Sequence, residues 1–137
     1  MNIITEEMMK KYAQDLCALM PKVKVFTFSG PLGAGKTTLV RLMLNMLGVI
    51  EPVQSPTYTY VNVYKHNDVT LYHFDLYRLN SLDEFLQAGF DEYLFQPNSY
   101  CFIEWPEIIE GILSADVCNV VLEYHNEQAR LMKMECV

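Results

Sequence analysis

The chain has little of several things, and each shortage narrows what it can be. Its longest apolar runs, 39–47 and 100–103, fall well short of the about 20 residues that a membrane-spanning helix needs. The opening residues, MNIITEEMMKK, hold acids where a secretory leader has a basic stretch followed by an apolar one. No export or membrane address is therefore expected. The cysteines, Cys17, Cys101, Cys118 and Cys136, form no Cys-x-x-Cys pair and no Cys/His spacing suited to zinc. Three of them lie in apolar surroundings, which predicts buried reduced thiols and a reducing cytoplasm. Arginine is scarce (Arg41, Arg78 and Arg130 only), the net charge is −7 and the pI is near 4.8. Direct nucleic-acid binding needs clustered positive charge, so any contact with RNA would fall to another subunit. Repeats, linkers and low-complexity stretches are also missing.

What is present is 137 residues, 51% of them apolar, enough for one α/β domain over 1–137. Thr5 can cap a helix with Glu6 and Glu7 in its first turn. Met8, Tyr12, Leu16 and Leu19 recur there at helical spacing until Pro21. The segment 23–28 reads as a strand, its valines and phenylalanines taken to share one side. It runs into a glycine-rich loop and then a helix over 37–47, apolar nearly all round and so expected to be buried, closed by Gly48. The segments 57–64 and 69–74 are β-branched and aromatic, and the turn chemistry of His66-Asn67-Asp68 predicts an antiparallel hairpin. Ser81-Leu82-Asp83-Glu84 is a capping box. The apolar run 100–103, ending in Glu104, suits a central strand buried on both faces. A final hairpin is expected from 116–124 and 130–136. The sum is a mixed sheet flanked by helices.

Gly30-Pro31-Leu32-Gly33-Ala34-Gly35-Lys36-Thr37 fits G-x-x-x-x-G-K-[ST] at every fixed position, between a predicted strand and a predicted helix. Glycines let the backbone curl until its N–H groups face phosphate, and the next helix aims its positive end at the same anion. The cradle covers Gly33, Ala34, Gly35 and Thr38. Lys36 supplies a point charge for the β and γ phosphates, and Thr37 a hydroxyl for Mg²⁺. Such a site also needs an acid on the metal, usually at a strand end. Glu104 and Asp75 both qualify, and His73 shares a strand face with Asp75 by period two. Ser55 and Thr57, on either side of Pro56, could sense the γ-phosphate as switch loops do. The tyrosines between 58 and 77 read as sheet packing, and His66 and His125 as solvated turn residues.

No Asn-Lys-x-Asp element is present, which argues against a GTPase. A lid and several arginines, which a small-molecule kinase uses, are also lacking. Four blocks then occur in order: GPLGAGKTT at 30–38, SPTY at 55–58, YHFDLYRL at 72–79 and EWP at 104–106. With 89–94 they span most of residues 25–106, and in combination they resemble the TsaE family, the small ATPases of bacterial tRNA threonylcarbamoyladenosine synthesis.

The resemblance implies a P-loop fold and an ATPase that joins TsaD and TsaB. Those partners attach the threonylcarbamoyl group to the adenosine beside the anticodon of ANN-decoding tRNAs. This chain would not transfer the group itself; its ATP hydrolysis would reset the assembly, and tRNA would be met only through the complex. By position, Lys36 would hold phosphates, Thr37 and Glu104 would bind Mg²⁺, and Asp75 would support the metal or the attacking water. Ser55 and Thr57 would form the switch-like loop, Trp105 follows the metal acid, and Arg130 would touch the nucleotide. One departure is Pro31, where the family commonly carries an acid; proline alters the first turn of the loop but leaves the cradle from Gly33 onward. A small P-loop kinase and a nucleotide-dependent interaction module remain as alternatives.

Overall fold

A computed structural model describes residues 1–56, 58–113 and 116–136. Seven strands form one mixed sheet: β1 (Asn2–Thr5), β2 (Val25–Ser29), β3 (Val61–His66), β4 (Val69–Asp75), β5 (Ser99–Glu104), β6 (Val117–Asn126) and β7 (Ala129–Cys136). Their spatial order is β1-β7-β6-β2-β5-β4-β3. The four central strands β6, β2, β5 and β4 run parallel, with antiparallel pairs on both flanks. Helices α1 (Glu6–Cys17) and α2 (Lys36–Met46) cover one face. A short α3 (Leu82–Gln87) and 3₁₀ turns at Phe90–Phe95 and Glu107–Ile112 cover the other. No helix among the described residues is long and apolar enough to cross a membrane.

The expected elements are present, with corrections that share one cause: neighbours in space choose which residues are buried. In α1 the Thr5 hydroxyl accepts from the Met8 N–H at 3.3 Å, as its capping chemistry requires. Leu16 is buried as expected, with Tyr12 and Leu19 packed at the margin, but Met9 and Ala13 complete the buried face and Met8 is exposed. The preceding residues form β1, which the sequence pattern did not indicate; it pairs with β7 and buries Ile4. Helix α2 is not buried all round. Leu39, Val40, Met43 and Leu44 face the sheet, while Thr38, Arg41 and Asn45 are exposed.

In β2, Phe26 and Phe28 face the α1/α2 side and Val25 the other, so its valine and phenylalanines do not share a side. The alternation was hidden because a central parallel strand is apolar on both faces. β5 behaves as predicted, and Phe26 stacks on Phe102 with ring centroids 5.5 Å apart. In the first hairpin β3 starts at Val61 rather than in the fifties, since Tyr58 to Tyr60 bend and Tyr60 has φ 64°. Asn67 and Asp68 turn it with φ 49° and 66°, the type I′ pattern. Cys118 and Cys136 are register partners on β6 and β7 and are joined as a disulfide, against the expectation of reduced thiols. Cys17 and Cys101 are free, and burial pushes their thiols up to about 11 and about 12.

Candidate functional site

Parallel strands in an open sheet end together, and loops beyond their C-terminal ends form the natural crevice. Here β2 ends at Ser29, and register pairs Phe28 with Glu104 and Glu104 with Asp75. The two acids therefore sit side by side at the mouth of the P-loop. Gly30 has φ 142°, and a Cβ there would collide with the Leu122 carbonyl oxygen on β6. Its glycine is demanded by the neighbouring strand, not by the phosphate cradle alone. Gly33 and Gly35 have φ 79° and 101°, the left-handed backbone that turns the loop into α2. The Pro31 carbonyl accepts from the Ala34 N–H at 3.2 Å, so this position serves as an acceptor and its missing N–H is not called upon in that turn.

Lys36 is the first residue of α2 and is buried. Its ammonium donates to the carbonyl oxygens of Gly30 and, at 2.9 Å, Pro31. It also lies 3.9 Å from the ring centroid of Trp105, a cation–π contact. Trp105 adopts φ 57°, and its N–H donates to the Phe28 carbonyl at 3.2 Å, which anchors the residue that follows Glu104. Burial lowers the Lys36 pKa, and the nearby carboxylates of Glu104, Asp75 and Glu107 oppose that shift. A partly desolvated cation whose own loop supplies carbonyl partners is ready to exchange them for a stronger anion.

The Thr37 hydroxyl lies 2.8 and 2.9 Å from the two carboxylate oxygens of Glu104. Glu104 is buried, and its Oε2 is 2.6 Å from Nε2 of His73. Asp75 accepts from the Ser55 hydroxyl and, through Oδ1, from the Tyr77 N–H at 3.1 Å. Ser55 thus reaches the site through Asp75, while Thr57 lies outside the described residues. Every other residue singled out from the sequence (the loop Gly33 to Thr38, Ser55, Asp75, Glu104 and Arg130) lines one cavity of about 500 Å³. Arg130 turns its NH1 back to the Asn126 and Ala129 carbonyls, at 2.7 and 3.0 Å, and lies 4.9 Å from the Tyr124 ring centroid. Its Nε is buried without a partner.

Hydroxyl and carboxylate oxygens suit a hard cation such as Mg²⁺. Among the described residues no group of three or more His, Cys, Asp or Glu could hold a metal by itself. Mg²⁺ commonly takes one or two carboxylates and completes its shell with water and phosphate. Three lining or contacting residues received no site role in the sequence reading. His73 was visible only as sharing a face with Asp75. Tyr77 packs against Trp105 at a tilt, with centroids 4.7 Å apart, and Arg78 lies 5.1 Å from the Tyr58 ring centroid. Both fall within the YHFDLYRL block, which was the available signal.

Comparison with known proteins shows the family and the fold. Residues 3–132 match the family described as Threonylcarbamoyl adenosine biosynthesis protein TsaE. A tRNA threonylcarbamoyladenosine biosynthesis protein TsaE of Haemophilus influenzae is 41% identical over 119 residues, covering 86% of this chain and 75% of its own. Its Bacillus subtilis counterpart is 34% identical over 127 residues, covering 93% and 78%. The crystal structure of Bacillus subtilis YdiB superposes with a TM-score of 0.76 at 28% identity, covering 98% of this chain and 82% of that one.

Proposed function

The chain belongs to the TsaE family of threonylcarbamoyladenosine biosynthesis proteins, and from that premise we propose that it is the ATP-binding and ATP-hydrolysing subunit of the tRNA-modifying machinery. It acts on an assembly of TsaB and TsaD and does not transfer the carbamoyl group itself. tRNA is reached through those partners, which suits a chain of net charge −7.

The observation that carries this reading is the convergence of Lys36, Thr37, Glu104 and Asp75 on one cavity at the strand ends. In it the loop from Gly33 to Thr38 holds the phosphates, with the Lys36 ammonium leaving the Gly30 and Pro31 carbonyls to meet them. Thr37 and Glu104 hold Mg²⁺, with Asp75 as support. When bound, that ion neutralises phosphate charge and orients the terminal phosphoryl group. Asp75, which accepts from the Ser55 hydroxyl and the Tyr77 N–H, orients the attacking water in this reading. Arg130 closes the cavity on the side of the β6–β7 turn and contacts the nucleotide.

The test is phosphate release from Mg-ATP by the purified chain, with and without TsaB and TsaD from the same source. A rise on adding the pair is expected. A folded, ATP-binding protein whose release stays flat would break the proposal. So would transfer of the γ-phosphoryl label to a defined acceptor, which would make it a kinase.

A further inference from the structure

His73 is on β4, fully buried, and two residues before Asp75 on the same strand face. One ring nitrogen, Nε2, stands 2.6 Å from Oε2 of Glu104. The other, Nδ1, is buried with no hydrogen-bond partner. A proton on Nδ1 would be a buried donor with no acceptor, whereas a proton on Nε2 points at a carboxylate oxygen. The geometry thus assigns the donor role to Nε2.

A fully buried ring with one orphan nitrogen is a poor choice if packing were all this position had to provide. The opposite face of the same strand is packed with Tyr72 and Phe74, and a hydrocarbon at 73 would carry no orphan ring nitrogen. The imidazole is therefore kept for what Nε2 does. We infer that His73 is a positioning residue for the metal-binding acid. Its Nε2–H holds Oε2 of Glu104 and fixes the rotamer in which both carboxylate oxygens lie within 2.9 Å of the Thr37 hydroxyl. This rests on the reading of Thr37 and Glu104 as the residues that hold Mg²⁺ and deepens it: a glutamate has three side-chain torsions to fix, and Thr37 alone contacts it from one side only. Groups that orient metal ligands from behind typically change metal affinity by about 10–100-fold when removed.

The test uses Mn²⁺ as probe, its binding to the protein with a non-hydrolysable ATP analogue followed by electron paramagnetic resonance. Metal-free ATP affinity and the thermal midpoint are measured alongside. In His73→Leu, Mn²⁺ affinity should fall by about tenfold or more with metal-free ATP affinity held, while the midpoint drops because the buried Glu104 carboxylate loses a donor. His73→Gln places an amide donor near the position of Nε2 and should recover most of the loss. If His73→Leu does not fold, His73→Asn, whose shorter amide cannot reach Glu104, takes its place. A folded His73→Leu or His73→Asn with wild-type Mn²⁺ affinity would overturn the inference. So would a folded His73→Gln as impaired as the leucine variant. A wild-type protein that binds the analogue with no metal dependence would instead overturn the metal reading itself, and this inference with it.

Discussion

On one face of β4, Phe74 meets the rings of Phe85, Phe90 and Tyr93 at centroid distances of 6.0, 5.8 and 6.1 Å. On the other, Leu71, His73 and Asp75 lead from the core beneath α2 into the cavity. Both faces are buried, and the strand is the same seven residues. The aromatic face needs only shape and apolar area, so each ring can be judged by the space it fills. The polar face holds groups that are costly to bury: Glu104 partners Nε2 of His73, and Ser55 and the Tyr77 N–H partner the Asp75 carboxylate, while Nδ1 of His73 goes without. Stability should therefore depend mainly on the first face and nucleotide chemistry on the second.

The sharpest way to break that division is Lys36→Ala. ATP binding should vanish in calorimetry while circular dichroism stays unchanged; unchanged affinity in the folded variant would remove the site assignment. Lys36→Met adds a sign to the same position. Because burial lowers the Lys36 pKa, its charged form is less favoured in the folded chain than in the unfolded one. That penalty is present at neutral pH and is relieved as pH rises towards the unfolded value. Unliganded Lys36→Met should thus be at least as stable as wild type at pH 7 in a denaturant titration, although it binds no ATP.

Phe74→Ala tests the other face and should cost about 3–5 kcal/mol in urea unfolding. The folded fraction should keep its ATP affinity. A large loss of affinity at an unchanged midpoint would show that the two faces are not separable. Ser55→Ala removes a donor to Asp75 and should cost roughly 1 kcal/mol of stability while slowing phosphate release. A stability change without a rate change would place Ser55 outside the chemistry. The smallest effect belongs to neither face: Thr5→Ala, at the cap of α1, should lose about 1 kcal/mol and leave binding unaltered.

Much of the site was legible because its residues are close in sequence. Gly30 to Thr38 states its own geometry, with glycines where φ is positive and Lys36 and Thr37 where the helix begins. Glu104 could be picked out because an apolar run of β5 ends on it. Asp75 was picked out as an acid at a strand end and Ser55 as a hydroxyl between the loop helix and the hairpin, Arg130 only by the family resemblance, and the cavity brings them together. His73 was visible as a neighbour of Asp75 on one strand face but not as a partner of Glu104, 31 residues away. That contact depends on the parallel pairing of β4 with β5.

The misread elements follow the same logic. Strand β1 is four residues with no alternation of its own, and only β7 makes it a strand. In α1 the buried face takes in Met9 and Ala13 and leaves Met8 exposed, a choice made by what packs against the helix. Cys118 and Cys136 are 18 residues apart with no pairing signature, and the register of β6 against β7 puts them opposite each other. From its residues alone this protein declared most of its elements, its glycine-rich loop and two candidate acids, since local backbone preference and hydrophobic period are written in short stretches of chain. Which carboxylate meets Thr37, which histidine holds that carboxylate and which cysteines meet were decided by tertiary structure, because strand order and register are settled by burial across the whole sheet.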